Sequence, residues 1–219
     1  PVSIIIKTGS RGGLLSLMAV LLFLVFSRFK TIRLSFFVKA AVAVAAIVSL
    51  QFMDMSIDRY KTIMNIKSDY NVADEEGRVS IWKIGMRLML THPLTGVGLS
   101  QFPHGVGLDR EARGLPSAKW HTAHNSMVQI GAETGVLGLI LFCLMSFNVI
   151  KITGCVINQS QSEELVKLAE MTRAGFIGHF ISAMFLSQAY SVYWAFYIVL
   201  SAVLKYLLDK EFAVAEGVF

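Results

Sequence analysis

Cysteine is scarce in this chain of 219 residues, and the two present point to neither a cross-linked scaffold nor a metal site. Cys143 and Cys155 lie on or just beyond one apolar run, with no disulfide framework and no metal-ligand spacing. Short catalytic signatures are missing as well: there is no glycine-rich phosphate loop, no HExxH, no Asp-x-Asp pair and no GxSxG. Hydrolytic and nucleotide-driven chemistry therefore has no foothold. Charge is thin, at 16% of residues. The formal net charge of +5 does not point to nucleic acid, because the basic residues sit beside apolar runs, where they set topology. An initiator Met and a signal-peptide pattern are also absent. Residue 1 is proline, and Val2–Ile6 reads as the end of a span. The expectation is the C-terminal part of a longer polytopic protein.

Apolar sequence is what the chain has in abundance. Hydrophobic residues make up 54% and mean hydropathy is +0.59. The apolar residues are bunched, and several runs approach the length that crosses ~30 Å of hydrocarbon as helix. The fold expected is an all-α integral membrane protein, with about five transmembrane helices near 13–28, 34–53, 126–152, 173–188 and 192–208. Arg28, Lys30 and Arg33, in the hairpin between the first two runs, give the strongest positive-inside signal. Alternation then puts Lys151, Lys167, Arg173, Lys205 and Lys210 on the same cytoplasmic side. Only Lys7 and Arg11 fall in the short outer segments.

Residues 54–125 form a long hydrophilic interval, placed outside by that alternation. Within it, Arg78–Thr91 carries apolar residues at 81, 84, 85 and 88 and again at 82, 86 and 89, with Pro93 as a stop. The pattern predicts a helix lying on or dipping into the outer membrane interface. Phe102–Lys119, rich in glycine and charge, reads as irregular. Asn158–Glu170 is polar and reads as a short cytoplasmic amphipathic segment before the fourth span.

The chemistry-bearing residues gather on the outer side. Arg11 lies between glycines at the end of a span, where it either binds an anion bidentately or snorkels as an interface anchor. Arg78 opens the amphipathic helix with Trp82 one turn on. A diphosphate there would meet guanidinium and helix N–H groups together; the plainer alternative is a solvated charge paired with Asp74–Glu76. Arg59, Lys83, Arg87, Arg110 and Arg113 are weaker versions of the same case. His124, followed by Asn125, sits where polar sequence enters the apolar run Val136–Ile150. Its imidazole can take a proton from a hydroxyl, or merely cap the helix. His121 makes a metal pair conceivable, but no third or fourth ligand has useful spacing, so no metal is expected. Glu133 is a carboxylate inside the third span, functional by default or buried against a partner from outside the fragment. His179, mid-span, reads as a core histidine. Gly135 and Gly138 read as small faces on which another helix packs.

Taken together these residues resemble the bacterial O-antigen ligase and O-antigen polymerase superfamily. The resemblance rests on TGSRGG at Thr8–Gly13, on GR-x3-W followed by HPLTGVG at Gly77–Trp82 and His92–Gly98, and on His-Asn, nine residues, then Gly-x-x-Gly at His124, Asn125, Gly135 and Gly138. It covers essentially the whole chain as the C-terminal half of such a protein. It implies a C-type glycosyltransferase of the bacterial inner membrane, with its active face periplasmic and no cofactor. The implied donor is a glycan on undecaprenyl diphosphate; the acceptor is lipid A–core, a second lipid-linked repeat or a protein. Arg11 and Arg78 would bind the diphosphate, His124 would be the general base, and Asn125 and Trp82 would contact substrate. A membrane transporter or channel for a small anion is the alternative, with the arginines as a selectivity ring.

Overall fold

A computed structural model describes residues 77–115 and 121–216, together with Val20 and Phe23. The expected spans at 13–28 and 34–53, Arg11 and the loop before residue 77 lie outside the described residues, apart from Val20 and Phe23, which are helical. The longer helices described are five: α1 (Arg78–Thr91), α2 (Phe102–Ala112), α3 (Ser126–Gln159), α4 (Glu163–Ala183) and α5 (Val192–Ala215). They belong to two compact units, one holding 77–143 with 182–189 and the other 144–181 with 190–216. α3 runs from the first into the second.

In the first unit α1 forms where the apolar periodicity puts it. Ile81, Ile84, Gly85 and Leu88 make one buried stripe, and Thr91 and His92 close the helix before Pro93. The stripe faces the protein: it packs with Phe102 and Val106 of α2 and with Ala123 and Ala132, while Val97 and Val128 close its flanks. The expectation of irregular chain after residue 101 is corrected by α2. Pro103 fits the first turn of this helix, where a missing N–H costs nothing. The Phe102 amide donates to Glu133 Oε1 at 2.9 Å, which satisfies an N–H that helix geometry leaves over. Its glycine content, which reads as loop, serves contact instead. A Cβ on Gly105 would stand 3.0 Å from Leu88 Cδ1. Asp109 accepts from Arg87 at 2.7 Å and from Arg113 at 2.5 Å, clamping α1 to α2.

α3 is not one uninterrupted helix. Gly135, at φ 72° and ψ −172°, breaks it. An unbroken helix would bond the Val136 amide to the Ala132 carbonyl. Here Val136 N–H donates to the Pro93 carbonyl at 2.7 Å. The carbonyls of Ala132 and Glu133 accept from Val97 N (2.9 Å) and Gly98 N (3.1 Å). Thus the turn after α1 is stitched backbone to backbone into the break. An added Cβ on Gly96 (φ 63°) would run into the Glu133 carbonyl, and one on Gly135 into the Pro93 carbonyl. Gly135 is therefore a break filled by a turn, not a flat face for another helix. Gly138 has its nearest neighbour in the Thr134 side chain of its own helix.

In the second unit Val156, Leu165, Ala169, Leu204 and Leu208 form a core. The Glu211 carboxylate accepts from Ser160 Oγ (2.6 Å), Gln161 N (2.7 Å) and Ser162 N (3.2 Å), fastening the turn between α3 and α4 onto α5. The polar segment ending near residue 170 is not separate from the apolar stretch after it. α4 is continuous from Glu163 to Ala183, so the helix stops short of the 188 expected for the fourth span.

Among the described residues two helices are long and apolar enough to cross a membrane, α3 and α5, with only 17% and 22% of their apolar windows buried. Leu141, Leu144 and Phe147 of α3 and Phe196, Val199 and Tyr206 of α5 are outward-facing. A soluble core helix would hide such side chains, whereas helices in lipid leave them out. Among the described residues the fold is all-helical, and its exposed apolar surfaces are compatible with a membrane protein.

The stitched break yields a stability contrast. Gly96→Ala should cost about 3 kcal/mol or more, since left-handed strain and a backbone collision coincide. Gly114→Ala, at φ 69° with open space around it, should cost only about 1 kcal/mol. Thermal unfolding of the two variants in detergent measures the difference.

Candidate functional site at the head of the third helix

His124 stands at the head of α3 in an unusual backbone state. Its φ is +47°, a left-handed conformation that non-glycine residues seldom adopt. The surroundings hold it there. Its amide donates to Ser187 Oγ at 2.8 Å. Two residues on, Ser126 Oγ donates to the Leu186 carbonyl and accepts from Gln188 N, both at 2.9 Å, so segment 186–188 brackets the helix start. Asn125 Oδ1 accepts from Met127 N (2.9 Å) and Val128 N (3.1 Å) and is the N-cap of α3. With the sharp turn at His124 and the cap at Asn125, His124 is an exposed residue at the helix start. Thr122 Oγ1 lies 3.1 Å from His124 Nε2, which engages that ring nitrogen.

α1 is tied to the same place. Trp82 Nε1 donates to the Ala123 carbonyl at 2.8 Å. Arg78 precedes Trp82 by four residues, one helical turn on the same face. The pairing brings the Arg78 guanidinium near His124. The imidazole pKa is held below the ordinary 6.5, by partial burial first, then by the Arg78 cation and by His121. At neutral pH the ring is therefore an uncharged imidazole with a lone pair to offer. Gly77, the N-cap of α1, has no side chain to satisfy the helix N–H groups beside Arg78. Among the described residues the other arginines of this unit are placed elsewhere: Arg87 and Arg113 pair with Asp109, and Arg110 is buried at 3% exposure.

Of the expected site residues, Arg78, Trp82, His124 and Asn125 come together, while Arg11 lies outside the described residues. Trp82 and Asn125 have clear local work, one bonding α1 to Ala123 and the other capping α3. Glu133, a buried carboxylate at 1% exposure, meets the first turn of α2. Thr122 and Ser187 are the contacts that sequence reasoning misses. Thr122 lies within the HTAHN string, but Ser187 is 63 residues further along the chain and carries no local signal.

A family model described as O-antigen ligase matches residues 2–143, a stretch that includes every one of these positions except Ser187. The chain belongs to the O-antigen ligase family. A Rickettsia conorii protein named "Putative polysaccharide ligase" is 27% identical over 144 residues, covering 64% of this chain and 33% of its own length. The chain thus spans about a third of that relative. In this member of the O-antigen ligase family, Gly77–Trp82, His92–Gly98 and the His124–Gly138 string are not independent markers. The first carries Arg78 to His124 through the Trp82 bond, and the second fills the break in the third.

The electrostatics can be read directly. NMR titration of histidine-labelled protein, with His124 assigned through His124→Gln, should give a His124 pKa below 6.5, and Arg78→Gln should raise it. Because the folded value is the lower one, the unfolded chain binds the extra proton. This histidine's contribution to stability is thus full above 6.5 and falls as the pH drops through 6.5 toward the folded pKa. A His124 pKa unchanged by Arg78→Gln would contradict the pairing.

Proposed function

We propose that the protein transfers a glycan from undecaprenyl diphosphate to an acceptor hydroxyl at the periplasmic face of the bacterial inner membrane, where it is a multi-pass protein. Membership in the O-antigen ligase family supports glycan transfer, and the name of the Rickettsia relative agrees with it. The observation that carries the reading is the placement of Arg78 near His124, where that cation helps hold the imidazole pKa down, with α1 held by the Trp82 bond and His124 by the backbone turn.

The chemistry follows from those two groups. The acceptor hydroxyl attacks the anomeric carbon of the donor sugar and its proton passes to the His124 imidazole. The bond from that carbon to the diphosphate oxygen breaks, and the diphosphate leaves with the bonding pair. Negative charge grows on the diphosphate as it leaves, where the Arg78 guanidinium and the N–H groups opening α1 stabilise it. Arg11 would supply a second cation. Guanidinium in this role makes a metal unnecessary. In-line attack inverts the anomeric centre. The acceptor is lipid A–core, another lipid-linked repeat or a protein side chain. Trp82 and Asn125 would bear on the substrate as well as on the fold.

Transfer assayed with purified protein and a lipid-linked donor should fall about 100- to 10,000-fold for His124→Ala. It should fall about 100- to 1,000-fold for Arg78→Ala, with Arg11→Ala falling comparably. Protein levels should hold in each case. Unaltered transfer in the first two variants, or retention of anomeric configuration in the product, would overturn the mechanism.

A further inference from the structure

The last turn of α1 and the turn joining it to α2 expose three large aliphatic side chains among the polar Thr91, His92, Thr95, Ser100 and Gln101. Leu90 and Leu94 are each 70% exposed and Leu99 is 65% exposed. The buried stripe of α1 uses none of them. Their position is fixed. Pro93 O, Val97 N and Gly98 N are bonded to Val136 N, Ala132 O and Glu133 O at the break in α3. Val136 opens the apolar run Val136–Ile150, and the outward-facing Leu137, Ile140 and Leu141 come directly after it. The turn is therefore docked where the membrane-crossing helix begins, with Leu94 next to Gly135 in space.

We propose that this turn is seated in the lipid bilayer, with Leu94 and Leu99 in the boundary between headgroups and acyl chains beside the start of α3. The occupant of this surface is lipid because the turn is bonded at the start of a helix apolar enough to span, whose own exposed face begins with Leu137, Ile140 and Leu141. Exposed leucines in water are unfavourable in proportion to their area, and insertion removes that area. The polar remainder of the unit stays in water. Asp109, with Arg87 and Arg113, clamps α1 to α2, and Glu111 is exposed on α2. The seat sets the height of the whole unit. The same turn is bonded to the residues that come after His124 in α3, so the depth of Arg78 and His124 relative to the membrane is set by it.

The test uses the full chain in phosphatidylethanolamine–phosphatidylglycerol vesicles, with Cys143 and Cys155 replaced by serine. Single nitroxide labels are placed at Leu94→Cys and Leu99→Cys, with Leu141→Cys as the lipid reference and Glu111→Cys as the water reference. Collision rates with molecular oxygen and with a water-soluble nickel chelate are compared. The expected result is an oxygen-to-nickel ratio at 94 and 99 at least several-fold above that at 111 and approaching that at 141. Ratios at 94 and 99 equal to that at 111 would overturn the proposal, and so would exclusion of both agents, which means a protein surface covers the turn. A water-like ratio at 141 would overturn it together with the spanning role of α3. None of these readings depends on glycan transfer.

Discussion

The exchange of backbone hydrogen bonds at Gly135 is the constraint on which the first unit depends. A helix that breaks leaves carbonyls without amides, and buried orphans of that kind cost free energy comparable to a lost hydrogen bond. Here the orphan carbonyls are supplied with amides by a turn 35 residues earlier in the chain. Val97 and Gly98 donate to Ala132 and Glu133, and Pro93 receives the displaced amide of Val136. Three backbone bonds at fixed register leave little freedom for sliding. The join holds only if the backbones touch, which is why glycine stands at both Gly96 and Gly135.

The rest of the unit is built out from that join. Glu133, one residue from the stitched carbonyl of Ala132, turns its carboxylate to the Phe102 amide and so starts α2. α2 covers the buried stripe of α1. α1, thus located, reaches Ala123 through Trp82, and Arg78 comes near enough to His124 for its charge to lower the imidazole pKa. The site is assembled from segments whose relation is set by backbone bonds and close packing. That suits a reaction in which a fixed cation must meet charge as it develops.

How much of this was legible in the sequence differs from element to element. α1 was, because the spacing 81, 84, 85, 88 and the stop at Pro93 are local signals. The stripe's destination was not: periodicity tells that a face is apolar, not whether lipid or protein covers it. α2 was hidden because Gly105 and Gly107 lower helix propensity. Tertiary contacts with Leu88 and the bond to Glu133 override that. The continuity of α4 was missed because Glu163–Glu170 is polar and the stretch beyond it apolar, although a helix backbone need not notice the change. The His124-Asn125 pair was legible as a candidate by its place before an apolar run. Its strained turn and its contact with Ser187 were not, since both depend on residues far along the chain. Glu133 was marked as a costly carboxylate, and its cost is met by the α2 amide rather than by a second charge.

Membership in the O-antigen ligase family and the geometry at the head of α3 meet in one claim, that Arg78 and His124 share a single lipid-diphosphate site. Photolabelling tests it most directly. A polyprenyl diphosphate analogue with a diazirine on the sugar next to the diphosphate would be activated in vesicles holding the full chain, and the labelled peptides identified by mass spectrometry. The account predicts label on both 77–82 and 121–125, competed away by unlabelled donor. Label confined to α4 or α5, with neither of those segments modified, would contradict it.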